Sequence, residues 1–407
     1  MPSDPRQHLN KGVVLLGWVS FLSDVASDMI YPLLPDFLTR TLRAGPAALG
    51  IIEGVAEATA SLMKWVSGWW SDRVRRRKPM VVGGYAIAAI ARPLVGLATS
   101  WAQVLAIRFA DRVGKGIRTS PRDALIADMV PPEKRGKAFG LQRAMDNAGA
   151  FVGPLIAAAL LKFVFDDERP VFLLAAIPGL LAVAVLLFAL RESPRPRATG
   201  AVRAAGAASD SAAAGRAAGP LPRPFWIVIG IFGLFTLAMS TDAFLLLKAR
   251  DSGIPLWQMP LLWAFFNGIK AVGGVPGGAL SDRLGRVWTI VAGWAVYAAA
   301  YVGFAFAATP VETWLLFAFY AAFYALTEGA ERALVADLVS SDTRGRAFGI
   351  FHATVGLAAL PASILFGLWW NLWGPRAAFL IGAAIAALAT AALLAFRLRA
   401  GEDLGRS

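Results

Sequence analysis

The stretch ALIADMVPPEKRGKAFG, residues 124–140, returns as ALVADLVSSDTRGRAFG at residues 333–349, identical at ten of seventeen positions and displaced by 209. A second pair, Ser71-Asp72-Arg73 and Ser281-Asp282-Arg283, is displaced by 210. Two separate segments repeating at nearly one spacing mark a duplicated unit about half the chain long. Composition says what kind of unit it is. Of 407 residues, 57% are hydrophobic and 16% charged, whereas soluble domains carry about 25% charged residues. Apolar segments of membrane-crossing length lie near 12–38, 46–71, 79–99, 101–129, 138–164, 171–190, 224–248, 257–281, 287–308, 312–338, 347–371 and 376–397,. The predicted class is therefore an all-α integral membrane protein with twelve transmembrane helices. Residues 192–223 are rich in Ala, Gly, Pro, Ser and Arg, a composition that buries too little apolar surface to order itself,. The expected division is a six-helix bundle over 1–191, a flexible cytoplasmic linker over 192–223 and a second six-helix bundle over 224–407.

The net charge of +13 is explained by its placement. With both termini in the cytoplasm, segments on that side hold 23 Lys and Arg residues, concentrated in Arg73–Lys78, Lys134–Lys137 and 191–223. The opposite side holds seven: Arg40, Arg43, Lys162, Arg169, Lys248, Arg250 and Arg376. That asymmetry orients the chain by the positive-inside rule, and no nucleic-acid partner is expected. The polar start and the absence of a small-residue cleavage site after the first span predict a retained helix in the inner membrane. There is no cysteine, and His8 and His352 are the only histidines. Thiolate nucleophiles, disulfides, Cys-built zinc sites and Ser/His hydrolysis are thereby disfavoured, and neither a metal site nor a cofactor is expected. No Gly-x4-Gly-Lys-Ser/Thr phosphate loop is present, so ATP is not expected to act directly.

Gly68-Trp-Trp-Ser-Asp72-Arg73-Val-Arg75-Arg76-Arg77 resembles the loop motif Gly-x-x-x-Asp-Arg/Lys-x-Gly-Arg-Arg/Lys of the major facilitator superfamily. Arg75 stands where the motif has glycine. The mirrored copy, Gly278-Ala-Leu-Ser-Asp282-Arg283-Leu-Gly285-Arg286, keeps that glycine and ends in Val287. Gly140, Gly149, Gly153 and Pro154 are similar to the helix-5 motif of the superfamily's antiporters, whose last two glycines are Ala157 and Ala158 here. The resemblance spans the chain. It implies two six-helix pseudo-repeats around a central cavity lined by helices 1, 4, 7 and 10, a gating role for the two loop motifs, and export.

Ionisable groups inside spans cost a few kcal/mol each on insertion scales, so they mark functional positions. Asp24 and Asp28 share one face of the first span, as do Glu53 and Glu57 of the second,. The fourth span carries Arg108, Asp111, Arg112, Lys115, Arg118, Arg122 and Asp123. Depth counting at about 1.5 Å per residue puts Asp28 and Arg112 near one level. An embedded network of Asp24, Asp28, Glu57, Asp111, Arg112 and Lys115 is expected from this. Its carboxylates, with Glu53, are candidates for carrying a proton across the membrane. The alternative is a satisfied scaffold joining spans one, two and four. Candidate substrate residues are Arg108, Arg112, Lys115, Arg118, Asp242, Asn267, Lys270, Glu328 and Glu331. By the repeat offset, Arg118 and Arg122 map to Thr327 and Glu331, predicting that a cationic face of span four opposes an acidic face of span ten. Asp128 and Asp337, beside Arg135 and Arg344, are expected to anchor loops.

The expected function is secondary transport of a small molecule by alternating access around a midplane site. Proton-coupled efflux is favoured, with two acidic residues one turn apart on span two also allowing a sodium site. A proton- or sodium-coupled importer of an anionic metabolite is the alternative within the class. A non-transporting assembly factor or an intramembrane enzyme is the alternative outside it, although no nucleophile with an adjacent base stands out. The expected partners are the lipid bilayer, a small-molecule substrate and a proton, and the protein is expected to act as a monomer.

Overall fold

The computed structural model describes residues 10–71, 76–131, 134–190, 220–340 and 343–404. Among these, twelve helices and no strand are present. The first half holds α1 (Lys11–Thr41), α2 (Pro46–Ser71), α3 (Lys78–Leu97), α4 (Trp101–Met129), α5 (Arg135–Phe163) and α6 (Glu168–Phe188). The second holds α7 (Arg223–Asp251), α8 (Gln258–Leu284), α9 (Arg286–Phe306), α10 (Pro310–Asp337), α11 (344–373) and α12 (375–404). Each expected span is matched by one helix, with ends shifted by a few residues. Of the linker expected over 192–223, residues 192–219 lie outside the described residues, and Arg223 already begins α7.

Alternating helices put the described chain ends on one face of the bundle, here the terminal face; the turns 42–45, 98–100, 164–167, 252–257 and 307–309 form the distal face. Seven stretches are long and apolar enough to cross a membrane by composition alone, one of them covering both α11 and α12. The four helices that fall short are α2, α4, α8 and α10. These carry buried or cavity-facing charge.

Local irregularities have identifiable causes. Pro32 and Pro35 lack the N–H that an α-turn needs, and α1 passes through a 3-10 turn at Tyr31–Leu33 and a wide π turn at Phe37–Thr41,. Helix α7 breaks at Met239, whose ψ of 112° is extended. Exposed carbonyls are costly at membrane depth unless bonded. The Tyr297 hydroxyl donates to the Ala238 carbonyl at 3.0 Å, and Tyr301 bonds Ser240 Oγ at 2.8 Å. The turn from α8 to α9 uses Gly285 at φ 89°, a conformation with little penalty only for glycine,. The preserved glycine of the second loop motif is thus a backbone requirement.

Small residues govern the close packing. A Cβ built on Gly153 would lie 2.5 Å from the Val25 carbonyl oxygen, and one on Gly149 2.5 Å from that of Phe21. The helix-5 motif therefore seats α5 on the backbone of α1, with Pro154 buried beside it. Gly140 has nothing within 4 Å of such a Cβ and takes no part. The halves meet along two seams. Gly50 and Gly54 of α2 press on the Ser363 and Leu360 carbonyls of α11, and Phe151 of α5 lies against Gly268 of α8.

Candidate functional site

The loops of the repeat carry matched ion pairs. Arg77 donates to Asp128 at 2.7 Å, and Arg286 donates to Asp337 at 3.4 Å. Both residues of each pair are related by the offset of 209. Asp128 and Asp337 do anchor loops, but through Arg77 and Arg286 rather than the expected Arg135 and Arg344. Asp282 also pairs with Arg286, while Arg283 is exposed and Gly278 faces open space. Gly68 packs near Ser120 of α4; Asp72 and Arg73 lie outside the described residues.

Inside the first half, Asp111 is the centre of a buried charge network. Its Oδ1 accepts from Arg92 Nε at 2.9 Å, and Arg108 and Arg112 approach its Oδ2 at 3.7 and 3.8 Å. Arg108 donates to Glu53 at 2.6 Å. Arg92, on α3, also donates to the Ser23 carbonyl and hydroxyl at 2.6 and 3.1 Å. Arg118 donates to Ser23 Oγ at 2.7 Å and lies 3.9 Å from the Tyr85 ring centre. Arg122 reaches Ser20 at 2.8 Å. The expected network is therefore corrected in membership. Arg92, in an otherwise apolar run, is its missing cation, and Glu53 joins it. Asp24, Asp28, Glu57 and Lys115 make no ion pair with it among the described residues. Arg118 and Arg122 turn into their own half, away from α10.

The offset of 209 brings out an asymmetry. Arg92, Arg108, Asp111, Lys115 and Arg118 correspond to Tyr301, Phe317, Tyr320, Tyr324 and Thr327. One half builds its interior from guanidinium–carboxylate pairs, the other from stacked rings, such as Tyr297 on Tyr301 at 4.2 Å between centroids. Asp242 closes this aromatic interior, accepting from Tyr320 at 2.9 Å and Tyr324 at 3.2 Å.

A cavity of about 750 Å³ lies between the halves. Its charged and amide lining comes from Glu57 of α2, Arg143 and Asn147 of α5, Asn267 and Lys270 of α8, and Glu328, Glu331 and Arg332 of α10. Its wall is aromatic: Phe232, Phe235, Trp294, Phe323, Tyr324 and Phe351. Helices α1 and α4 supply none of the lining, contrary to the expectation for helices 1, 4, 7 and 10. Their polar groups are engaged within the first half or at the distal seam. Of the candidates, Glu57, Asn267, Lys270, Glu328 and Glu331 reach the cavity; Asp24, Glu53, Arg108, Asp111, Arg112, Lys115, Arg118 and Asp242 do not, and neither does Asp28. Arg143 and Asn147 were missed, although their i, i+4 polar spacing on α5 is visible in the sequence.

The distal end of the cavity is sealed. Trp263 Nε1 of α8 donates to Asp28 at 2.9 Å, and Tyr31 bonds Thr241 across the halves at 3.3 Å. Nearer the distal face, Asp36 accepts from Arg40 at 3.0 Å and from Arg250 of the other half at 2.9 Å, while Arg40 reaches Asp251 at 3.4 Å. Toward the terminal face the cross-half contact is Arg143 with Glu328 at 3.4 Å, both well exposed. The cavity opens to the terminal side.

Twelve helices in two pseudo-symmetric halves, enclosing a polar cavity that opens to one side, define a multi-pass membrane transporter. The sequence profile of the Major Facilitator Superfamily matches residues 16–273 and 264–406. The chain belongs to that superfamily. It is 34% identical over 394 residues, 95% of each chain, to an MFS-type transporter of Methanocaldococcus jannaschii. The multidrug resistance protein MdtG of Escherichia coli is 29% identical over 197 residues, 48% of each chain. Among solved structures, a bacterial homologue of the human lysosomal transporter Spinster in an inward-facing, unoccupied conformation superposes with TM-score 0.73 at 18% identity, covering 95% of this chain and 96% of that one. The nucleoside transporter NupG gives 0.76 at 15% identity, covering 95% and 99%.

Proposed function

We propose that this protein exports an amphipathic small molecule across the plasma membrane by proton-coupled alternating access, with both termini in the cytoplasm. The observation that carries the reading is the 750 Å³ cavity between the halves, sealed distally and open on the terminal side. The basic excess of the terminal side supports a cytoplasmic mouth,. An aromatic wall with a few charged groups suits a partly apolar solute. Local similarity to proteins named for multidrug resistance supports export over import.

Asp28 is the proposed coupling carboxylate. Its hydrogen-bond partner, Trp263, belongs to the opposite half. When the distal side opens, that bond must break, and the carboxylate then needs a proton or water. Asp111, by contrast, is held from within one half and has no reason to change partners as the halves rock.

The test is transport in proteoliposomes with ethidium and a dansylated alkylamine, driven by a pH gradient of either sign. Gradient-driven flux against the proton flow, lost in Asp28→Asn while solute counterflow persists, supports the reading. Undiminished gradient-driven flux in Asp28→Asn removes Asp28 from coupling. Flux in the same direction as protons replaces export with the importer reading, and dependence on sodium instead replaces the proton.

A further inference from the structure

The cavity holds two oppositely charged positions that the protein leaves without an ion-pair partner. Lys270 has its ammonium 3.7 Å from the Tyr324 ring centre and 4.9 Å from that of Phe266, with no carboxylate at salt-bridge distance among the described residues. One turn earlier on the same face of α8, Asn267 Nδ2 is a buried donor with no acceptor,. The Lys270 ammonium, charged and without a carboxylate partner in the cavity wall, is the group that an anion arriving from outside the chain would meet,. On α10, Glu331 accepts a single hydrogen bond, from Trp294 Nε1 at 3.1 Å, and forms no ion pair. Its carboxylate borders an aromatic platform, Phe235 stacked on Trp294 at 4.0 Å and 3°. A carboxylate that no cation of the chain pairs is the chemistry that holds an organic ammonium. Of the other lining charges, Glu328 pairs with Arg143 and Arg332, while Glu57, on α2 of the opposite half, likewise makes no ion pair among the described residues.

The separation of the two positions follows from helix geometry. Lys270 stacks on Tyr324, and Glu331 lies seven residues further along α10, about 10 Å closer to the terminal mouth,. Thr327 lies between them on α10, and Phe323, just before Tyr324, packs against Phe235 of α7.

Resting on the proposal that the cavity is a transport site, we propose that it takes elongated amphoteric molecules. The anionic group binds Lys270 at the deep end, the apolar body crosses the apolar lining between the two charges, and the ammonium meets Glu331 near the mouth. Each end meets a charge that makes no ion pair within the described residues, so losing either end costs affinity.

The test is equilibrium binding to the detergent-purified full chain, read by tryptophan fluorescence, with 4-(3-aminopropyl)benzoate and its monopolar relatives 3-phenylpropylamine and 4-propylbenzoate. The amphoteric probe is expected to bind at least about tenfold tighter than either relative. Lys270→Met should reduce its affinity to that of the amine, Glu331→Gln to that of the benzoate, and Lys270→Arg and Glu331→Asp should retain most of it. Size-exclusion and circular dichroism traces of the conservative pair guard against misfolding. Equal binding of a monopolar relative, no binding of the three probes, or unchanged affinity in Lys270→Met and Glu331→Gln overturns the proposal. These outcomes need no gradient. Gradient-driven flux of ethidium with no amphoteric binding sinks this assignment and leaves the transport reading standing, and binding without flux does the reverse.

Discussion

Asp111 shows how a buried charge is tolerated here: three guanidinium groups surround it, and Arg108 is shared onward with Glu53. Removing one partner of such a pair strands the others in a dry interior, at about 3–5 kcal/mol. Asp111→Asn is therefore expected to lower unfolding stability in detergent by about that amount. Arg92→Leu with Asp111→Leu should recover part of the loss, because Arg92 no longer lacks its partner, whereas Arg112 stays without Asp111,. A double variant as unstable as the summed singles would mean that Asp111 is held chiefly by Arg108 and Arg112. Tyr297→Phe is a second case, leaving the Ala238 carbonyl at the α7 break without its donor. A loss of about 1–3 kcal/mol in the same unfolding measurement is expected.

Helix packing explains which motif positions matter. Gly153 faces the backbone of α1, so Gly153→Ala must push α1 and α5 apart, and a loss of about 1–3 kcal/mol is expected,. Gly140 faces open space, and Gly140→Ala should be neutral or stabilising by up to about 1 kcal/mol through helix propensity,. Paired thermal unfolding curves check both; equal losses would sever the motif from packing. The spacing Gly-x8-Gly-x3-Gly-Pro was readable in the chain, but which of its glycines touch another helix depended on the rotation of α5. Likewise Pro32, Pro35 and Pro154 are visible as breakers, whereas the α7 break at Met239 has no proline to announce it. The tyrosines that satisfy it come from another helix, α9.

The molecule as a whole is latched on its distal side by Asp36, Arg40, Arg250 and Asp251, with Arg40 and Arg250 related by an offset of 210. Asp36→Asn removes the negative charge shared by the two arginines and is expected to shift the population toward distal opening. The chain has no cysteine, so a single Asn147→Cys reports on the cavity without background labelling. In vesicles, a membrane-impermeant maleimide should label Asn147→Cys from the terminal side, and adding Asp36→Asn should increase labelling from the distal side several-fold. Distal labelling that stays flat would show that the α2–α11 seam, not the ion pairs, holds this side shut.

Membrane residence, twelve spans, the duplication and the family were all legible in the chain, because hydropathy, loop charge and repeats are local properties that survive projection onto a line. So was the presence of costly charge in α1, α2 and α4. The cavity was less so. Charge density drew attention to α4, yet α4 turns its arginines onto Asp111, Ser23 and Tyr85, and the sparsely charged second half supplies most of the lining. A shift of one residue rotates a side chain by about 100° around a helix. Whether a group faces its own half, lipid or the cavity therefore depends on helix rotation and tilt, which only the assembled bundle sets. Arg92 with Asp111, and Asp28 with Trp263, became partners at that stage, one pair binding a half together and the other joining the two.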